Sequence, residues 1–281
     1  MTCSIRSGVR AAIPLLALWL AAPGLAQTRA AADLPLWELG VGAFAASQQA
    51  YPGASGQVRR GLALPFLIYR GEYLRADRDT FGLRAINQPG YEVDIGFAGA
   101  FGSNADDSEA RRGMPELGTL VEFGPRLKWH LGPVNGDGRL RAEFALRGVF
   151  DLDDRFRNKG VSFEPRLVWE QRGGGNWRYG ASAGALFGNR KLADTFYSVA
   201  PADALPGRPA YSAEGGLIAW RLGASASHEI TPDLRVFLFG RLDSVAGAAN
   251  RASPLVQKTT GASAGVGLTY TFARSSRRAS D

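Results

Sequence analysis

Apolar and polar residues alternate with period two along most of the chain, most cleanly in its last stretch, Gly261 to Phe272. Val266, Leu268, Tyr270 and Phe272 share one face; Gly265, Gly267, Thr269 and Thr271 share the other. That spacing predicts a β-strand with one apolar side. In a soluble protein the apolar side would turn inward beneath helices, yet no stretch beyond the N-terminal segment reads as a convincing amphipathic helix. Lipid is then the cover. A strand of about ten residues, apolar outside, small and polar inside, and closing on an aromatic, is the repeating unit of an outer-membrane β-barrel.

The same pattern predicts further strands at Leu36 to Ala45, Arg60 to Arg70, Glu72 to Asp77, Thr80 to Ile86, Tyr91 to Gly102, Gly118 to Leu131, Arg139 to Phe150, Val161 to Gln171, Asn176 to Gly188, Gly216 to Ile230 and Leu234 to Ser244. The expected fold is all-β, a transmembrane antiparallel β-barrel of about 12 strands, with roughly 10 to 14 compatible with the ambiguous stretch 60–90. Its faces can be assigned. Val121, Phe123, Pro125, Leu127 and Trp129 point outward, while Glu122, Arg126, Lys128 and His130 point into the lumen. Arg141, Glu143 and Arg147, then Glu164 and Arg166, are the inward charges of the next two strands. Arg235 and Arg241 flank inward Phe237 and Phe239, so part of the lumen is expected to be packed.

The pattern Val-x-Phe-x-Pro-Arg-Leu-x-Trp at 121–129 recurs at 161–169. One hairpin separates the copies, which places Trp129 and Trp169 at one membrane level. Pro125 and Pro165 lack an N–H and read as bulge positions. Connections from the fifth strand onward alternate long and short, and the short ones carry Asn135-Gly136, Gly173-Gly174-Gly175 and Thr231-Pro232-Asp233. Long external loops alternating with tight periplasmic turns place both chain ends in the periplasm.

The N-terminal segment changes the compartment. Arg6 and Arg10, the apolar run Ala11 to Ala22 and small residues at Gly24 and Ala26 read as a signal peptide, residues 1–26, cleaved after Ala26. The barrel then occupies 27–272 and a basic C-terminal tail 273–281. Cys3, the single cysteine, falls in the signal, so no disulfide stabilises the mature chain. Cleavage lowers the formal net charge from +7 to +5. The arginines are spread over polar strand faces with glutamates, without the clustered, aromatic-interleaved pattern of a nucleic-acid surface.

Little catalytic chemistry is legible. His130 and His228 have no neighbours at metal-ligand spacing, so neither a metal nor another cofactor is expected. Ser225, Ser227, His228 and Glu229 raise a lipid hydrolase as a remote alternative, but Ser227 and His228 adjoin on a strand and point to opposite faces, so no catalytic residue is assigned. Gly40-Val-Gly42 and Gly265-Val-Gly267 lack the following helix of a phosphate-binding loop. Asp106, Asp107 and Glu109 read as solvated loop charge.

Several segments resemble the MipA/OmpV family of outer-membrane proteins: Tyr51-Pro-Gly53, Leu64-Pro65 with Tyr69-Arg70, Glu122-Phe-Gly-Pro125, Phe196-Tyr-Ser-Val-Ala-Pro201 followed by Leu205-Pro206 and Tyr211, and the close at Gly265 to Phe272. The resemblance implies a barrel without catalysis in the cell outer membrane. It also implies a scaffold joining a lytic murein transglycosylase to a bifunctional penicillin-binding protein, with permeability or adhesion as other roles in the family. The chain departs from the family by continuing from Ala273 to Asp281 beyond the terminal aromatic. The alternative is a channel for small solutes, anionic ones if lumenal arginine prevails. The remaining partners implied are outer-membrane lipid and the barrel-assembly machinery, for which Phe272 is the expected assembly signal. Phe272→Ala should impair membrane insertion, read as loss of heat-modifiable mobility on gels, whereas removing 273–281 should not.

Overall fold

The computed structural model describes residues 34–70, 74–76, 81–100, 102, 108–134 and 136–279; the expected signal peptide lies outside them. The strands are β1 (Trp37–Gln49), β2 (Gln57–Arg70), β3 (Leu74–Ala76), β4 (Phe81–Gln88), β5 (Tyr91–Ala100), β6 (Leu120–Val134), β7 (Gly138–Asp151), β8 (Arg157–Arg172), β9 (Trp177–Gly188), β10 (Gly216–Glu229), β11 (Leu234–Ser244) and β12 (Thr260–Arg274). Each pairs antiparallel with its sequence neighbour, and β1 pairs with both β2 and β12, which closes the barrel.

Period-two patterning explains which side faces out. On β12, Tyr270 is 47% and Phe272 55% exposed, whereas Thr269 and Thr271 between and beside them are buried. Leu146, Leu167, Trp220, Leu222, Leu238 and Leu242 are likewise exposed on their strands, while Asp94, Arg126, Glu143 and Arg147 are buried. This inside-out distribution is the reverse of a soluble barrel, in which the apolar face lines the interior. Trp129 lies opposite Ala142, and Trp169 opposite Leu140, two residues apart along β7.

Several expectations need correction. Pro125 and Pro165 are not bulges. Pairing of β6 with β7 stays in one register from Phe123↔Gly148 to Arg126↔Ala145, and β8 with β9 does so from Phe163↔Phe187 to Arg166↔Gly184. A missing N–H removes a ladder bond without adding a residue, so the register survives. The irregularities lie instead at Leu39/Gly40, Arg84/Ile86, His130/Gly132, Val149/Phe150 and Leu217/Ala219. The β7–β8 connection is also shorter than expected, because β8 begins at Arg157 and the turn is made by Arg155 and Phe156 at positive φ. At the C-terminus, β12 runs on to Arg274, with Leu39↔Ala273 and Glu38↔Arg274 paired. The tail beyond it is tied down as well: Leu36 N–H donates to Arg277 O (2.8 Å) and Ala279 N–H to Leu34 O (2.7 Å). Removal of 273–281 would therefore cut into the closing seam.

The connections gather into a loop end and a turn end. At the loop end, the segment between β9 and β10 contains a helix that the strand pattern hides, α1 (Arg190–Tyr197). Asn189 caps it by accepting from Leu192 N–H, and Leu192, Ala193 and Tyr197 form its buried face. With Tyr51, Ala54, Met114, Leu117, Val199, Val245 and Leu255 this face builds an apolar cluster over the barrel mouth. Burying each large side chain there contributes ~2 kcal/mol. Hydrogen bonds tie the loops across the mouth. Tyr51 Oη donates to Leu255 O (2.8 Å), Tyr197 Oη to Pro52 O (3.0 Å) and Ser253 Oγ to Tyr197 O (2.7 Å). Arg208 clamps Ala110 O and Arg112 O, and Arg111 lies over the Tyr51 ring.

Burial pushes the hydroxyls of Tyr51 and Tyr197 above the ordinary tyrosine value of 10.0. In the unfolded chain these groups ionise from about that value, and in the folded chain only at higher pH. Their contribution to stability is therefore complete below the unfolded value and lost as pH rises above it. The urea midpoint of the folded barrel should hold steady up to about pH 10 and fall beyond it, and Tyr197→Phe should make that fall shallower.

Candidate functional site

The lumen has two unlike walls. On β1, β2 and the middle of β11 large apolar side chains point inward: Phe66 lies over Gly40, and Phe237 and Phe239 lie over Gly267 and Gly265 of β12. A Cβ at Gly265 or Gly267 would collide with the ring above it, so glycine there is what lets the aromatics lie flat against the wall. The wall from β5 to β10 and the two ends of β11 carry charge.

That charge is arranged by the antiparallel register. Asp94 faces Arg126, Glu92 faces Lys128, Glu143 faces Arg166, Arg221 faces Asp243 and Glu229 faces Arg235. Directly opposed side chains on one face of a sheet stand close enough for their termini to meet. Arg126 grips Asp94 in a two-point pair, Nε to Oδ1 at 2.9 Å and Nη2 to Oδ2 at 2.7 Å. Lys128 lies 2.8 Å from Asp94 and 3.2 Å from Glu92. Glu143, 1% exposed, receives Arg141 at 2.6 Å and Arg166 at 2.7 Å, and Arg141 continues to Glu170 at 2.7 Å. Toward the turn end, Glu229 binds both Arg178 and Arg235.

Nearer the loop end a second network runs round the wall. Glu122 accepts from Ser162 Oγ (2.8 Å) and lies 3.8 Å from Arg147. Arg147 bonds Glu164 at 3.0 Å, Glu164 accepts from Arg221 at 2.9 Å, and Asp243 holds Arg241 at 3.0 Å. Arg221 Nε approaches Asp243 Oδ1 to 3.3 Å without an aligned hydrogen bond. A cavity of about 170 Å³ lies between this network and the lid, with Phe239, Tyr51 and Phe196 among its other walls.

All the inward charges expected from the strand faces, Glu122, Arg126, Lys128, Arg141, Glu143, Arg147, Glu164, Arg166, Arg235 and Arg241, thus sit in ion pairs on the lumenal wall. Phe272 lies apart from them, outward near the turn end. The expected excess of lumenal arginine disappears once Glu92, Asp94, Glu170, Glu229 and Asp243 are placed beside it. These acids share the inward parity of their own strands, which is the signal that finds them. On the outer surface His228 stacks on Trp177 with centroids 4.6 Å apart, while Ser227 is buried on the lumenal side.

Glu143 joins two arginines, so removing its charge takes the carboxylate from Arg166 and one of its two carboxylates from Arg141. Glu143→Gln should cost ~3 kcal/mol or more, seen as a lower urea midpoint, and pairing it with Arg166→Gln should recover part of the loss.

Among solved structures the chain is similar to the NanC porin, at 9% identity and a TM-score of 0.37, covering 84% of this chain and 100% of that one. It is similar to a bacterial polysaccharide outer membrane secretin at 8% identity and a TM-score of 0.41, covering 85% and 99%. A Pseudomonas aeruginosa FadL homologue gives 10% identity and a TM-score of 0.32, covering 86% and 91%. A comparison with curated proteins finds no match. The family model described as MltA-interacting protein MipA matches residues 39–272, from within β1 to the terminal aromatic Phe272. The chain belongs to the MltA-interacting protein MipA family.

Proposed function

We infer that this chain is a non-enzymatic barrel of the cell outer membrane that works by its surfaces rather than as an open pore, holding murein-remodelling enzymes at its turn end. The observation that carries the reading is the lumen itself, whose wall carries charges already paired with one another and whose loop end is covered by the lid. Charges that already neutralise one another and an apolar cluster over the mouth both oppose steady conduction. The apolar outer face supports insertion in a membrane, and closure of β1 on β12 leaves no free edge there. The loop rhythm supports a turn end directed at the periplasm.

The family is that of an MltA-interacting protein, which supports a murein enzyme as one partner. A penicillin-binding protein as the second partner rests on the resemblance alone. Tight turns offer little area against the roughly 1,000 Å² that a specific interface buries. The joined segments 34–36 and 275–279 widen that rim, and Arg274, Arg277 and Arg278 give it positive charge. Purified barrel immobilised in detergent should retain a murein transglycosylase and a penicillin-binding protein, and less of each after removal of 275–281. Retention of neither enzyme would reject the scaffold. In planar bilayers the barrel should carry almost no steady current; sustained open-pore conductance would favour the channel alternative instead.

A further inference from the structure

At the loop end, the hairpin between β7 and β8 and the start of α1 share a surface that goes against three local preferences at once. Arg155 and Phe156 are the central residues of a turn closed by Arg157 N–H donating to Asp154 O (2.8 Å), and both have positive φ, 49° and 58°. Such a turn prefers Asn-Gly, so an arginine and a phenylalanine there cost backbone energy. Phe156 buries little in return, since it is 62% exposed. The first turn of α1 carries Arg190 and Lys191, both exposed, where the field of a helix favours acids. The two elements are packed together. Asn189 Oδ1 accepts from Val161 N–H (3.0 Å), Lys191 Nζ donates to Asn158 Oδ1 (3.2 Å), and a Cβ at Gly160 would meet both Asn189 and Leu192.

We propose that this surface binds a phosphorylated glycolipid of the outer leaflet, its phosphates on the basic side chains of the hairpin and α1 and an acyl chain against Phe156. Among the described residues no carboxylate lies within 4 Å of Arg155, Arg190 or Lys191. The acids nearby are engaged elsewhere: Asp154 holds Arg157 (3.1 Å) and Lys159 (3.4 Å), Asp153 accepts from Thr119 N–H (2.7 Å), and Asp194 accepts from Ser198 Oγ (2.7 Å). Phosphate oxygens accept charge-assisted hydrogen bonds from guanidinium and ammonium groups, and three uncompensated cations favour a headgroup with more than one phosphate. Depth agrees with charge. Val161, 38% exposed, is the last outward apolar residue of β8, and Arg157 lies ~13 Å further along the strand, less in height because barrel strands tilt. That is headgroup depth, where aromatic rings and cationic side chains collect at a membrane surface. A lipid satisfies the exposed ring and the cations with one molecule, which free phosphate cannot do. The assignment rests on the loop end facing outward and is independent of what the turn end holds.

The test uses the full chain folded in detergent micelles and native mass spectrometry with diphosphoryl lipid A, its dephosphorylated form and phosphatidylglycerol. Diphosphoryl lipid A should be retained about ten-fold better than either of the others, and inorganic phosphate should not displace it. Arg155→Asn with Phe156→Gly restores the residues the turn prefers, so it should hold or raise the urea midpoint while weakening retention by about ten-fold. Arg190→Gln with Lys191→Gln, checked for folding by heat-modifiable mobility, should weaken retention to a similar degree. The proposal is overturned if either comparison lipid is retained as well, if inorganic phosphate displaces the glycolipid, or if both folded variants retain it undiminished. A lower urea midpoint for the Arg155→Asn, Phe156→Gly pair would overturn it too, because those residues would then serve the fold. On intact cells, Arg155→Cys should react with a membrane-impermeant maleimide. No reaction would remove the outer leaflet as the source and overturn the assignment, while retention of murein enzymes at the turn end is read separately. The comparison of lipids on the unaltered chain decides the matter even if a variant fails to fold.

Discussion

A charge sent into the interior of a barrel cannot be left alone, and that constraint organises this protein. Removing a guanidinium or carboxylate from water costs several kcal/mol unless an opposite charge and well-aimed hydrogen bonds replace the solvent. The antiparallel register supplies the replacement by setting Asp94 against Arg126, Glu143 against Arg166 and Asp243 against Arg221. Slipping any of these strands by one residue would break the pairs and also turn leucines inward and charges outward. Ion pairs of this kind add little net stability compared with apolar packing, but they discriminate strongly between one register and the next. The outer face imposes the same register independently, because Leu146, Leu167 and Leu222 must remain outside.

Sealing follows from the same geometry. Where the inward residues are aromatic, as on β11, glycines on β12 give the rings room to lie against the wall. Where they are charged, cross-strand pairs line the wall. The loop end cannot be closed by strands, so α1 and the loops around Tyr51, Met114 and Leu255 close it with an apolar cluster tied by hydrogen bonds to backbone carbonyls. Beneath that lid lies a small cavity bounded by part of the charged network. At the turn end, segments 34–36 and 275–279 are stitched together by backbone hydrogen bonds.

Much of this is legible in the sequence, for identifiable reasons. Strand faces follow from period two, and β11 has the bounds expected from its apolar run, Leu234 to Ser244. Strand ends are legible only where a turn signal stops them. β6 and β8 run past the apolar belt because ladder bonds continue where side chains no longer alternate, as from Arg157 to Gly160. The inward charges can be read one strand at a time, but their partners cannot. Pairing Arg126 with Asp94 requires the register between β5 and β6, which neither strand carries alone. The helix α1 is hidden for a different reason, since its two turns are too few for a 3.6-residue period to stand out from loop. The tail beyond Phe272 looks like an appendage because its hydrogen bonds go to Leu34 and Leu36, at the other end of the chain.

Everything above depends on lipid meeting the apolar face while the charges meet each other inside. The only cysteine of the chain is Cys3, so single cysteines can be placed at will on β12 and their accessibility read in liposomes. Bimane labels at positions 266, 268, 270 and 272 should be quenched by nitroxide lipids, and labels at 265, 267, 269 and 271 should not, giving a period of two along the strand. Uniform quenching, or quenching of the second set in place of the first, would contradict the account.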